Sequence, residues 1–388
     1  MMNQERCNII MLASAHSPFD TRIFHKEAKS LVKNGYRVSI IVPHNTDEEK
    51  NQVKILGVKK PRNGFEKLFI TPFKVLKRAL KQDENSFFHV HDSELLYIAI
   101  ILKLRGRKVI YDAHEDTPLQ IMYQHWIPRW LRKTVAKYYY ILENVAGKIF
   151  DAIVVAEPVI KKYYPPEKTV LIRNFPLTDK FTTLPLPWSE RKDALVYIGL
   201  LSKPRGIDEM ARAAGIAKKK VNFNFIVGGK FAPVSLQEDY LKNNDVTFLS
   251  WLSLDELVSV LKESKIGIII PNPIERYLTN YPVKMFEYMA AGLPVIASKA
   301  GVSAEFIEEC KGGILVDPLN PEEIAEAIEW LLKNSGEAEK MGQRGRELVL
   351  LKYNWEVESQ KLITLYKKLN SKGREKSLPL NNSNSSLT

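Results

Sequence analysis

What most limits the fold of this chain is a double run of short apolar segments alternating with amphipathic ones. Cys7–Ser14 (CNIIMLAS) is apolar, Thr21–Asn34 is amphipathic and closed by Gly35, and Arg37–Val42 (RVSIIV) is apolar again. A strand apolar at successive positions suits burial on both faces, and a helix joining two such strands makes a parallel crossover. Further strands are expected at Val53–Leu56, Phe87–Val90, Lys108–Tyr111 and Ala152–Val155, with helices at Glu94–Leu104 and Ile127–Phe150. Phe175–Asp193, with three prolines and no period, breaks the pattern. The alternation then resumes with strand Ala194–Ile198, helix Ile207–Ala217 and strand Val221–Val227. Strands Val246–Leu249, Ile266–Ile270, Leu293–Ala297 and Gly313–Leu315 follow. The expectation is α/β architecture: two doubly wound parallel-sheet domains facing a central cleft. Residues 1–176 form the first domain, 177–192 a linker and 193–353 the second domain. A helix over 354–370 is expected to pack back across the domains. The Ser/Asn-rich tail 371–388 is expected to lack order.

Composition closes off other classes. A length of 388 residues suits two domains. The longest apolar run, Leu95–Leu102, is far short of the roughly 20 residues that cross a bilayer. Cys7 and Cys310 stand far apart without a Cys-x-x-Cys, which points to a soluble protein of a reducing compartment. The net charge of +12 favours anionic partners. Nucleic acid is disfavoured among them, because no recognition module is present and the basic residues are spread along the chain.

Ligands of open α/β sheets bind beyond the carboxyl ends of the strands. The loop after the first strand, Ser14–Asp20, has no glycine, which disfavours a dinucleotide cofactor. All seven histidines fall in the first 125 residues, three of them in HVHD (His89–Asp92) and DAHE (Asp112–Glu115). These residues suit either a metal site completed by Asp92 or Glu115, backbone-bonded strand ends, or a cleft lining that binds a hydroxylated substrate. In the second domain the first strand runs into Gly199–Gly206 (GLLSKPRG), where Lys203 and Arg205 lie at a helix start. Cations beside the positive end of a helix dipole suit an anion held between them, or else are solvated. The loop Pro271–Tyr281 leads to Pro282, pre-shaped for a first helical turn, with Glu287 farther along that helix.

Two segments combine basic and apolar residues. Lys59–Lys81 holds eight Lys or Arg and one acid among Phe65, Phe69, Ile70 and Phe73, and Trp126–Lys148 has a similar character. Both suit an anionic membrane surface or a solvated helix face.

Taken together, PFDTRIFHKEAKSLVKNGYRVSIIVPH, HDSELL, RKVIYDAHED, VLIRNFP, YIGLLSKPRGID and PVKMFEYMAAGLPVIAS resemble glycosyltransferase family 4. The resemblance spans the chain up to its tail. It implies the GT-B fold and a retaining, metal-independent transferase of hexosyltransferase type with no cofactor. Such an enzyme moves a sugar from a nucleoside diphosphate sugar, UDP favoured, to a hydroxyl of a saccharide or lipid-linked saccharide. The setting it implies is cell-surface polysaccharide assembly, in the cytoplasm and peripherally on the inner membrane face. Arg205 matches the basic residue at the diphosphate, with Lys203 or Lys284 supplying the charge missing at Leu200. Glu287 matches the second acid of the Glu–seven residues–Glu motif, which holds the ribose; Thr279 stands where the first acid would be. Gly199, Thr279, Asn280, Tyr281, Pro282 and Lys284 complete the donor set implied by the match.

His114 matches the first-domain histidine near the donor sugar. His16, Asp20, Arg22, His91, Asp92 and Glu115 are the expected acceptor-binding residues. Catalysis is assigned to Arg205, Lys203, His114 and Glu287. A sugar-nucleotide epimerase of the same fold, and a non-catalytic nucleotide-sugar-binding relative, are the alternatives.

Overall fold

The computed structural model describes residues 7–124, 127–181 and 185–377, with side chains to residue 371. His125, Trp126, part of the expected linker and the end of the expected tail lie outside the described residues. The chain divides into two compact units, residues 1–173 with 358–388, and residues 174–357.

The first unit holds strands β1 (Asn8–Leu12), β2 (Arg37–Pro43), β3 (Glu48–Lys50), β4 (Val53–Val58), β5 (Phe87–Val90), β6 (Lys108–Ala113), β7 (Ala152–Val155) and β8 (Thr169–Leu171). Their order is β3-β4-β2-β1-β5-β6-β7-β8, parallel except for the β3–β4 pair. Strands such as β5 (FFHV) and the fully apolar β7 (AIVV) are buried throughout, as expected of a sheet covered on both faces. On one face, helices Thr71–Ala79, Leu96–Leu104 and Arg129–Ile149 pack into a common core through Val75, Leu76, Ala99, Leu102, Ala146 and Phe150.

The second unit holds β9 (Ala194–Leu201), β10 (Asn224–Phe231), β11 (Thr247–Leu249), β12 (Ile266–Ile269), β13 (Val295–Ser298) and β14 (Gly313–Val316), ordered β11-β10-β9-β12-β13-β14. Counting parallel strands in chain order, this is 3-2-1-4-5-6, and the first sheet follows the same scheme. Each sheet therefore reverses its winding beside its first strand, between β1 and β5 and between β9 and β12.

Two expectations need revision. Residues 177–192 are part of the second unit: Phe181, Trp188 and Arg191 are buried in it, so apolar anchors override the prolines. The Arg191 guanidinium bonds the carbonyls of Leu186, Ala291 and Gly292. The last helix, Trp355–Ser377, extends into the stretch expected to lack order, and from Glu358 on it belongs to the first unit. Leu362, Ile363 and Tyr366 are buried there, and Tyr366 packs edge-on against Phe87.

Candidate active site

In the first unit, the loops after β1, β5 and β6 gather the charged residues. Asp20 caps the helix that follows, its Oδ1 accepting from the N–H groups of Arg22 (2.8 Å) and Ile23 (3.0 Å). That helix starts as a π-helical stretch, Thr21–Ala28, with His25 N–H donating to the Asp20 carbonyl five residues back. Wide winding of this kind occurs mostly as short insertions, frequently at functional sites. It brings Arg22 and Glu27, five residues apart, together at 2.9 Å. The Arg22 guanidinium also donates to both oxygens of Asp112 (2.9 and 3.0 Å) and to the Ile172 carbonyl. Burial, together with the facing Asp112 charge, pushes the Glu27 carboxyl well above its ordinary range. Burial opposes ionisation of Asp112 as well, but Arg22 and His114 hold it ionised well below the usual carboxylate range. A protonated Glu27, an ionised Asp112 and one guanidinium balance to zero.

Around this centre, burial lowers His91 to about 4 and holds His89 well below the usual imidazole range, so both rings are neutral. The His91 and His114 rings meet at 3.3 Å (Nδ1···Nε2), and His114 lies 3.2 Å from Asp112. Tyr366 from the last helix reaches His89 Nδ1 at 3.0 Å. Glu27, His89, His91 and Asp112 could in principle ligate a metal ion. The adjacent guanidinium already compensates the Asp112 charge, and Glu27 is held protonated, so an added dication is costly there. The metal arrangement that the sequence left open as one of three alternatives is not assembled around Asp92 or Glu115: Asp92 accepts from the Ser14 and Ala15 N–H groups, and Glu115 is exposed.

Asp92 and His16 pair at 2.8 Å. Burial works against both charges, yet Asp92 raises His16 to about 9, while His16 and the two N–H groups hold Asp92 below the usual carboxylate range. Of the expected acceptor residues, His16 and Glu115 reach solvent, as does His114. Arg22, His91 and Asp92 are closed in and hold the loops, while Asp20 caps the following helix through Oδ1 and stays partly exposed. Sequence reasoning gave no role to Glu27, Asp112 or Tyr366. The signal for Glu27 was an acid in an amphipathic helix with Arg22 five residues before it.

In the second unit, the loops after β9 and β12 close on each other: Asn272 N–H donates to the Pro204 carbonyl at 3.0 Å. Gly206 makes this approach feasible, since its φ is +81° and a Cβ there would lie 2.3 Å from the Ile270 carbonyl oxygen. Gly229 does the same beside Gly199, where a Cβ would lie 1.9 Å from the carbonyl oxygen. Arg205 is half-buried, with its guanidinium 5.6 Å from the centre of the Tyr277 ring. Its Nε is buried and makes no hydrogen bond among the described residues. Lys203 is 65% exposed and 3.7 Å from Asp208, so the helix start at Ile207 already holds an acid against its cation. The expected anion between Lys203 and that helix is therefore not required.

The start of helix Val283–Ala290 differs. Pro282 supplies no side-chain cap and the first turn carries no acid, so its orphan N–H groups and dipole face the loop uncompensated. Glu287 is buried on that helix and pairs with Lys284 at 3.0 Å, so Lys284 is engaged there rather than left to replace the arginine missing at Leu200. The adjoining Tyr288 hydroxyl accepts from the Ile198 N–H at 2.8 Å and ties this helix beneath β9. Thr279 donates to the Glu275 carbonyl. Asn280, Tyr281 and Pro282 are partly exposed in the approach to the helix. Lys230, near the end of β10, lies 5.0 Å from the exposed ring of Trp251, after β11.

Two sheets that share the parallel order 3-2-1-4-5-6, extended by a seventh strand in the first, each with polar loops at its reversal point, define the class of two-unit doubly wound α/β proteins. Residues 21–175 match the model of Glycosyltransferase Family 4 and residues 184–348 that of Glycosyl transferases group 1. The chain belongs to the family 4 glycosyltransferases. Among curated relatives, it is 26% identical over 203 residues to a GDP-mannose-dependent alpha-(1-6)-phosphatidylinositol monomannoside mannosyltransferase of Mycobacterium tuberculosis, covering 48% of this chain and 52% of that one. The chain spans about half the length of the curated relatives it matches. Among solved structures, sucrose-phosphate synthase from Thermosynechococcus elongatus superposes with a TM-score of 0.73 at 18% identity, over 95% of this chain and 100% of that one. HepE from Anabaena, in complex with UDP and glucose, gives 0.69 at 15%, over 94% and 100%. These structures share the GT-B fold with this chain.

Proposed function

We propose that the protein is a retaining hexosyltransferase that moves a sugar from a nucleoside diphosphate sugar, UDP favoured, to a hydroxyl of a saccharide or lipid-linked saccharide. Cell-surface polysaccharide assembly on the cytoplasmic face of a membrane is the setting proposed. The observation that carries this reading is the Arg205 guanidinium, fixed beside Tyr277 with a buried N–H unpartnered. The uncapped helix start at Val283 adds donors of the kind a diphosphate requires. As the C1–phosphate bond breaks, negative charge builds on the β-phosphate, and donors fixed in advance stabilise that state most. The acceptor oxygen then bonds to C1 from the same face, and its proton passes to the leaving phosphate. No metal is invoked in this scheme, so activity should survive a chelator.

Glu287 is assigned to the ribose hydroxyls, with Lys284 orienting its carboxylate. Gly199, Thr279, Asn280, Tyr281 and Pro282 are assigned to the rest of the donor. His114, His16 and Glu115 are assigned to the acceptor side, with His114 held by Asp112. Gly228–Lys230 and Ser250–Leu252, which carry Lys230 and Trp251, are assigned to the base. UDP in the HepE complex supports uridine, while the mannosyltransferase named for GDP-mannose supports guanosine. A thermal-shift panel of UDP, GDP and ADP and then their sugar conjugates tests the reading, because stabilisation grows with concentration over Kd. A panel without any shift defeats it.

A further inference from the structure

Helices Thr71–Ala79 and Arg129–Ile149 bury their inner sides in one core beneath one face of the first sheet, so their outer sides open to the same side of the unit. Those outer sides are unusually apolar. Phe65 and Phe69, in the stretch leading into the first helix, are 65% and 56% exposed and Phe73 on it is 54% exposed, while Trp130, Tyr138 and Ile141 on the long helix are 78%, 57% and 52% exposed. Tyr97, on the helix between, joins the two groups. Its ring is 5.7 Å from Phe73, its hydroxyl donates to the Leu68 carbonyl, and Tyr138 lies near enough to act on its ionisation. A contiguous apolar face of this kind marks an interaction surface.

Charge selects the occupant. Lys74, Lys77, Lys133 and Lys137 stand among these rings with no carboxylate in salt-bridge range among the described residues. Lys59, Lys60 and Arg62 precede the first helix, Glu66 is the one acid between Lys59 and Lys81, and Glu143 on the long helix is buried. Cores of protein–protein interfaces are depleted in lysine, whereas lysines interleaved with aromatic rings suit a lipid interface. There the rings sit at headgroup level and the lysine stems extend toward the phosphates. No helix among the described residues is long and apolar enough to cross a membrane.

We infer that this two-helix face docks the first unit on an anionic bilayer, with Phe65, Phe69, Phe73 and Trp130 entering the interface and the flanking lysines binding lipid phosphates. The inference deepens the lipid-linked branch of the proposed function and rests on it.

Co-sedimentation of the full chain with phosphatidylglycerol–phosphatidylcholine vesicles, and with phosphatidylcholine alone, tests it. Binding should be at least about tenfold tighter to the anionic vesicles and fall sharply as salt rises from about 0.1 to about 0.5 M. F69S/F73S should weaken it about tenfold, and K74E/K77E about fivefold per charge. Circular dichroism and the nucleotide thermal shift should stay unchanged in both variants. No vesicle binding, or binding indifferent to lipid charge and salt, overturns the inference. A dimer that F73S dissociates also overturns it, by giving the face to a second copy. If wild-type chain binds vesicles but shows no nucleotide shift, the donor reading fails while the docking face stands.

Discussion

At the reversal point of the first sheet, Arg22, Glu27 and Asp112 neutralise one another in the interior and His91 and His89 stay uncharged around them. At the equivalent point of the second sheet, Arg205 keeps a buried N–H without a partner, and the helix start at Val283 carries neither cap nor acid. One strand order thus supports opposite electrostatic solutions. The first unit closes this centre inward and leaves His16, His114 and Glu115 in reach of solvent beside it, while the second holds donors open. A self-neutralised centre fixes loop geometry, whereas an unsatisfied donor set is organised for an incoming anion.

The largest test of this contrast removes a cation from the closed side. Arg22→Met leaves Asp112 buried without its guanidinium and should cost about 3–5 kcal/mol in urea unfolding of the full chain. Adding Asp112→Leu should recover much of the loss; a change below about 1 kcal/mol for the single variant breaks the comparison. On the open side, Arg205→Ala should lower kcat on the order of a hundredfold, about 2.7 kcal/mol, with little loss of folding stability. Unchanged turnover with slightly weaker donor binding would remove its charge-stabilising role.

The two sides met the sequence differently. The apolar strands were legible because burial on both faces leaves no room for polar side chains, and helix Ile207–Ala217 falls where its period put it. Edge strand β3, Glu-Glu-Lys and fully exposed, carries no apolar signal. The Arg22–Glu27 pair was hidden because a spacing of five faces one direction only under the wider winding. At Gly199–Gly206 the glycines and cations stand close in sequence, so the loop between β9 and the next helix was readable. The partners that separate Lys203 from Arg205, Asp208 and Tyr277, were not.

The His16–Asp92 pair sharpens the comparison through pH. Because His16 is raised to about 9 in the folded chain, its contribution is complete below its unfolded value near 6.5 and is lost as pH rises through about 9. Asp92 is depressed, so its contribution is present above about 3.8 and lost as pH falls through its lower folded value. Stability from the pair should therefore be greatest between about pH 4 and 6.5, and the unfolding free energy from urea titrations should decline by about 1–2 kcal/mol toward pH 9.5. His16→Gln should flatten the decline; an equally steep profile would remove the pair from the account. The smallest effect is expected at Lys203, whose exposure makes it a solvated cation. Lys203→Ala should change kcat/KM by no more than about threefold, and a hundredfold loss would place it beside Arg205.

The path of the chain through the two units constrains its synthesis. Tyr366 fills the space against Phe87 and His89, yet emerges from the ribosome only after every residue of the second unit. The amino-terminal sheet therefore waits, incompletely covered, while its younger neighbour is made. Nascent chains halted before residue 358 should expose that sheet to proteases and chaperones even though all its strands have been translated.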